Sequence, residues 1–250
     1  MSFLYETHLH TSTGSACGVL RGAEYVKVYR DLGYTGIMVT DHFFRGNCAA
    51  DRGLPWAEWV DAYCRGFEET REAGERAGLD VFFGWEETFH GGDDYLVYGL
   101  DKAWLKAHPE AARWTRAEQF QAVDAAGGLV VHAHPFRERD YIRRITLCPG
   151  LVHAVEAANA GNDSPAFDAL AYDYARRMGL PMTAGTDIHR ARDCALPGFP
   201  FGVYSDTRFR SIADYISAVK TRRLAGFRIP EGRLRMSGAE RVGLPVVSAE

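Results

Sequence analysis

No apolar run in these 250 residues reaches the ~20 residues that a membrane-spanning helix requires, so no membrane partner is expected. The first ten residues, MSFLYETHLH, lack the basic start and long apolar segment of a secretory leader. Cysteine is scarce. The five present, at 17, 48, 64, 148 and 194, are odd in number and lack the paired spacing of a disulfide framework or zinc knuckle, which fits a reducing cytoplasm. Basic excess is missing too: 29 Lys and Arg against 33 Asp and Glu leave a net charge of −4. That balance argues against many phosphate contacts, so no long nucleic acid is expected as a partner, although a small anionic substrate is compatible. There is no low-complexity tract and no internal repeat.

What is present alternates strand and helix. FLYETHL reads as a strand, Ala23 to Leu32 as a helix, and TGIMVT as a strand ending at Asp41 and His42. A helix over Trp56 to Arg76, stopped near Gly78, precedes the strand DVFFGWEE and the apolar run YLVYGL. A helix from Arg116 to Ala126, the strands GGLVVHAH and VHAVEAAN, a helix over Ala166 to Met178 and the strand PMTAGTD follow. This order predicts an α/β fold with a mostly parallel sheet, and so many units in one chain favour a closed or distorted barrel forming a single domain over residues 1–227. Residues 228–250, rich in Gly, Pro, Ser and charge, read as a tail or surface extension.

On that frame His8 and His10 close the first strand, Asp41 and His42 the second, and Glu86 the third. His134 follows the LVVHAH strand, and Asp187 and His189 follow MTAGT. Strand ends of one polarity converge on one face of a barrel, so the spacing predicts a cluster. Imidazoles and carboxylates hold Zn, Mn or Fe, and a bridging carboxylate can join two ions roughly 3.5–4 Å apart, so a multinuclear site is expected. Glu87 points opposite to Glu86 on an extended strand and reads as a surface or supporting residue. His132 reads as a hydrogen-bonding neighbour of the site, and Asp41, Glu156 and Asn159 as groups that orient ligands. His90, His108 and His153 have no comparable context and read as structural or exposed.

The ordered series HLH, TDH, GWE, AHP and GTDIH, from His8 to His189, resembles the motifs of the polymerase and histidinol phosphatase (PHP) family. The resemblance implies a distorted seven-stranded (β/α) barrel that hydrolyses phosphoester bonds with two or three divalent metal ions. By position, His8, His10, Glu86 and Asp187 would surround one ion, Glu86 would bridge to a second held by His134, and His42 and His189 would hold a third. Two positions depart from the family pattern. Asp94 stands at or near a place where many members carry a histidine. Ala16 or Cys17 stands where members often carry an acid or histidine, which leaves the third ion short of one ligand. Cys17 would favour zinc as a thiolate, but a small cysteine tucked under a loop is the preferred reading.

A water bridging two ions loses its proton readily and attacks phosphorus in line, so no protein nucleophile is required. Arg45, Arg137 and Arg190, with Arg192 beside it, are candidate phosphate clamps because guanidinium forks match phosphate oxygens; Arg137, just past His134 and Pro135, is the first choice. The expected function is hydrolysis of a small phosphorylated metabolite or a nucleotide. A metal-dependent hydrolase of an amide or lactone on the same barrel is the alternative, and a binding module that has kept only the barrel is a third reading. Substrate identity, native metal and oligomeric state are not set by these residues.

Overall fold

A computed structural model describes residues 2–190 and 201–248. Arg192 and Cys194 lie outside the described residues. Nine strands form the main sheet. They are β1 (Phe3–Leu9), β2 (Gly36–Val39), β3 (Asp80–Thr88), β4 (Asp94–Tyr98), β5 (Leu129–His132), β7 (Ala154–Asn159), β8 (Met182–Gly185), β9 (Gly202–Ser205) and β10 (Gly226–Arg228), in the order β10-β9-β1-β2-β3-β4-β5-β7-β8. Two short strands, β6 (Ile145–Leu147) and β11 (Val246–Ser248), pair separately in parallel.

The sheet curls until its two sides meet at one rim. Past β8 the chain bridges to the end of β1, where Asp187 N donates to His8 O (2.7 Å) and His10 N to Ile188 O (3.2 Å). Glu6, fully buried, fastens this seam by accepting from His8 N, Thr186 N and the Tyr29 hydroxyl. Gly185 is required there, because a Cβ would stand 2.6 Å from His8 Cβ. At the opposite end β9 wedges antiparallel against Phe3–Tyr5 of β1.

The α/β barrel class therefore stands, with differences in strand number and direction. The sheet has nine strands instead of seven, and β4, β9 and β10 run antiparallel to their neighbours. Antiparallel β4 begins at Asp94 on the rim where β3 and β5 end, so reversal brings that residue to the same face as the ligand candidates.

Helices begin and stop where side chains satisfy their ends. In α5 (Arg116–Ala125) Thr115 and Glu118 form a reciprocal capping box, and α6 (Pro165–Met178) starts on Ser164 with Pro165 at its first position and stops at Gly179. The long helix expected from Trp56 is two, α2 (Trp56–Tyr63) and α3 (Arg65–Ala77), meeting at Cys64. The bend lays Gly66 against the loop beneath the site, where a Cβ would meet Thr11 Oγ1 and Asp41 Oδ2. Helix α1 (Gly22–Asp31) packs beside α3, α4 (Lys102–Ala107) packs beside α2, and α7 (Ile212–Lys220) sets Tyr215 against Tyr98 of β4.

Residues 229–248 lie against the barrel. Arg233 donates to the buried Asp168, and Gly243 N and Leu244 N donate to Glu138. Among the described residues no helix is long and apolar enough to cross a membrane.

Candidate metal centre

The rim gathers His8, His10, His42, Glu86, Asp94, His134, Asp187 and His189 at one place. Four overlapping sets of donor atoms converge there among the described residues: His8, His10 and Asp187; Glu86, Asp94 and His134; His10, His42 and His189; and His8, His134 and Glu156. Glu86 stands between them. Its Oε1 is 3.1 Å from His134 Nε2 and 3.3 Å from His8 Nε2, and its Oε2 is 2.9 Å from His42 Nδ1 and 3.3 Å from His10 Nε2. His10 Nε2 is 3.0 Å from Asp187 Oδ1.

Hydrogen-bond accounting fixes which ring nitrogens carry protons. His8 Nδ1 lies 3.0 Å from Glu156 Oε1, and a carboxylate only accepts, so Nδ1 donates and Nε2 is the nitrogen left bare in the neutral ring. Ser15 gives its hydroxyl proton to Asp41 (2.7 Å), so its oxygen accepts from His10 Nδ1 (3.2 Å) and His10 Nε2 is bare as well. His189 Nδ1 donates to the Asp187 carbonyl (2.9 Å), with the same consequence. With both rings neutral, as metal binding requires, His8 Nε2 and His10 Nε2 are the bare nitrogens, and they face each other at 3.1 Å. His42 Nδ1 and Glu86 Oε2 are buried without a directed hydrogen bond despite their 2.9 Å separation. Lone pairs aimed at common points, and histidines held by carboxylate or hydroxyl partners behind them, are what divalent cations require. The residues present fit such a centre.

The charges point the same way. Burial opposes ionisation of Asp187, but the Arg137 guanidinium outweighs it and holds the carboxyl well below its usual range. Burial raises Asp94 well above that range, and the neighbouring Glu86 charge adds to the rise, a conflict that a cation between them would relieve. His134 (φ +28°) and Asp187 (φ +55°) are two of the three non-glycine residues in the left-handed region among the described residues. Strain of that kind, of order 1–3 kcal/mol per residue, gathers at functional sites.

Around this centre lies a cavity of about 460 Å³, whose lining includes Cys17, His42, Arg45, Asp94, Arg137 and Tyr141. Arg137 is buried and fully engaged at the base: it donates to Asp187 Oδ2, Asn159 Oδ1 (2.7 Å) and Asn162 Oδ1 (2.9 Å). Arg45 donates to Glu87 Oε1 (3.0 Å) and Trp114 O (2.6 Å), leaving its second terminal nitrogen without a partner. Glu87 turns away from Glu86 toward Arg45, and burial raises its carboxyl to about 7. Arg190 is exposed and does not line the cavity. Cys17 does: burial works against its ionisation, but hydrogen bonds with His189 and His42 outweigh it and bring the thiol down to about 6. Asp41 sits one step back, acting on His10 through Ser15. Ser15, Asn162 and Tyr141 were not singled out in the sequence, since an isolated hydroxyl, amide or phenol in a loop carries no spacing signal.

His132 is also different from expectation. It is wholly buried, stacked on Tyr95 (centroids 4.9 Å apart), and neither ring nitrogen has a hydrogen-bond partner. Burial, offset only in part by Asp93, lowers its imidazole to about 3. Since the folded value lies below the unfolded ~6.5, its stabilising contribution is complete above that pH and is lost as pH falls toward 3. Metal-free wild type should lose about 2 kcal/mol more stability than His132→Phe between pH 6.5 and 5, from 1.36 kcal/mol per pH unit over the proton taken up. Urea unfolding of the chelator-treated proteins at the two pH values measures this, and equal losses would refute it.

No family model and no curated protein matches the sequence. Solved structures do match. A two-domain Bacteroides vulgatus protein containing a predicted PHP-like metal-dependent phosphoesterase aligns over 90% of this chain at 18% identity and TM-score 0.61. The chain spans 64% of that structure's length. A putative metal-dependent phosphoesterase from Bifidobacterium adolescentis aligns over 74% of this chain and 87% of its own at 19% identity and TM-score 0.52. Endonuclease Q, solved with a 27-mer duplex carrying an abasic lesion at the active site, aligns over 88% of this chain and 57% of its own at 11% identity and TM-score 0.52. That last structure overturns the expectation that long nucleic acid is excluded. Net charge sums the whole chain, whereas phosphate contacts are local, and an active site on this fold receives duplex DNA. The chain has the barrel fold of the PHP-like proteins.

Proposed function

We propose that the chain is a metal-dependent phosphoesterase, with His8, His10, His42, Glu86, Asp94, His134, Asp187 and His189 holding two or three divalent ions. The observation that carries this is the central position of Glu86, whose two oxygens lie within 3.3 Å of ring nitrogens of His8, His10, His42 and His134. Bound there, divalent ions supply Lewis acidity and an activated water. The protein's own groups do the rest. Glu156 and Ser15 keep the bare nitrogens of His8 and His10 turned inward. Arg137 fixes Asp187, and the unpartnered nitrogen of Arg45 takes a phosphate oxygen. Tyr141, 58% exposed at the cavity mouth, covers the organic part of the substrate.

The cavity volume suits a phosphorylated metabolite or a nucleotide, and the same mouth presents a phosphate of a polymer end or lesion to Glu86. Screening the metal-loaded protein against phosphomonoesters, nucleotides, short oligonucleotides and an abasic duplex tests the reading. Turnover of one of these classes is expected. Activity confined to an uncharged ester, amide or lactone would replace it with the general hydrolase.

Arg45→Ala should raise KM about tenfold and weaken competitive inhibition by inorganic phosphate by a similar factor, because a charge-assisted bond of ~1.5 kcal/mol is lost. Steady-state kinetics with phosphate titration measures both, and an unchanged inhibition constant would take Arg45 out of the phosphate contact.

A further inference from the structure

One side chain of the C-terminal segment reaches under the metal centre. Arg233 sits on a turn closed by Arg233 N to Pro230 O (3.2 Å) and Arg235 N to Gly232 O (2.9 Å), and Ile229 and Leu234 hold the turn down by packing against the apolar core. The Arg233 side chain is only 17% exposed. Its guanidinium lies 5.4 Å over the Phe201 ring, donates to Asp168 Oδ2 and reaches the carbonyls of Asn159 (3.5 Å) and Asn162 (3.3 Å). Asp168, buried on the first turn of α6, gives its other oxygen to the loop after β7, accepting from Asn159 N (3.1 Å) and Asn162 Nδ2 (2.6 Å). The same two asparagines present their side-chain oxygens to Arg137, which donates to Asp187. Asn159 Nδ2 also donates to Glu156 (2.8 Å), the carboxylate behind His8.

An amide can present either end to a neighbour, and only its oxygen suits Arg137. An ionised Asp168 accepts from Asn162 Nδ2 and so fixes that orientation. A buried carboxylate stays an acceptor only beside a cation, and Arg233 is the cation in contact with it among the described residues. We propose that Arg233 is a positioning residue for the metal centre: through Asp168 it sets the loop at 159–162, the loop sets Arg137, and Arg137 sets the oxygens that Asp187 offers a divalent ion. The segment expected to be a surface extension thereby completes the site. The assignment rests on the metal-dependent reading above.

Titration calorimetry of the full chain with manganese(II) tests it. Arg233→Ala should weaken binding about tenfold, the lower end of what losing a group behind metal ligands costs. Arg233→Lys should lose less, since an ammonium still pairs with Asp168 but cannot also span both carbonyls. In an Arg137→Ala background, where the route to Asp187 is already cut, Arg233→Ala should cost less than about a further twofold. Arg235→Ala, exposed two residues on, should bind as wild type does. Arg233→Gln fills the slot without charge and carries the same expectations should Arg233→Ala not fold. Unchanged affinity in Arg233→Ala or Arg233→Gln, or a loss that persists in full in the Arg137→Ala background, would overturn the positioning role and leave the centre standing. Fewer than two equivalents in the wild-type protein would overturn the centre and the role together.

Discussion

Replacing Glu86 with Gln should lower phosphoester hydrolysis by ~1,000-fold or more while the barrel stays folded, since removing the bridging charge withdraws several kcal/mol of stabilisation from the reacting centre. Both Glu86 oxygens are engaged: one faces His134 and His8, the other His42 and His10. Gln keeps the volume but removes the negative charge and turns an N–H toward bare imidazole nitrogens. The fold should survive, because the buried carboxylate lies among like-minded donors and not in the apolar core. Single-turnover kinetics with circular dichroism and metal analysis reads all three consequences. Near-wild-type turnover would remove Glu86 from the centre, and Glu87 would not replace it, since its carboxylate is turned to Arg45.

Arg137→Ala should cost roughly 2–4 kcal/mol in kcat/KM, the range seen when one positioned donor is removed from a water-poor site. The structure adds a second consequence. Arg137 is what holds Asp187 ionised and oriented, so metal affinity should fall along with activity. Arg137→Lys should recover part of both, because one ammonium cannot reach Asp187, Asn159 and Asn162 together. Isothermal titration with metal beside the kinetics separates the roles: lost activity with unchanged metal affinity would make Arg137 a substrate contact alone.

Seven of the eight ligand candidates were legible because each closes or follows an apolar strand, and strand ends meet in a barrel; Asp94 instead begins β4. Glu86 and Glu87 were separable by pleat alone. Strand direction was not legible: YLVYGL is buried on both faces, and an apolar run reads the same parallel or antiparallel. Glu6 and the Asp41–Ser15–His10 chain were hidden because Tyr29 lies 23 residues from Glu6 and Asp41 lies 26 from Ser15, and because the other partners of Glu6 are backbone groups that every residue carries, up to 180 residues away. Net charge misleads for a different reason: it averages over a surface, while a binding mouth is local. Cys17 shows the limit from the other side, since its composition context suggested a tucked-in residue and only the pinning of its loop to Asn47 and His189 put it in the cavity.

The proposed function requires the converging nitrogens and carboxylates to hold metal. Elemental analysis of protein purified with added Mn or Zn and then freed of loosely bound ions tests it most directly. At least two equivalents per chain are expected, falling below one in Glu86→Gln; less than one equivalent in the wild-type protein would contradict the account.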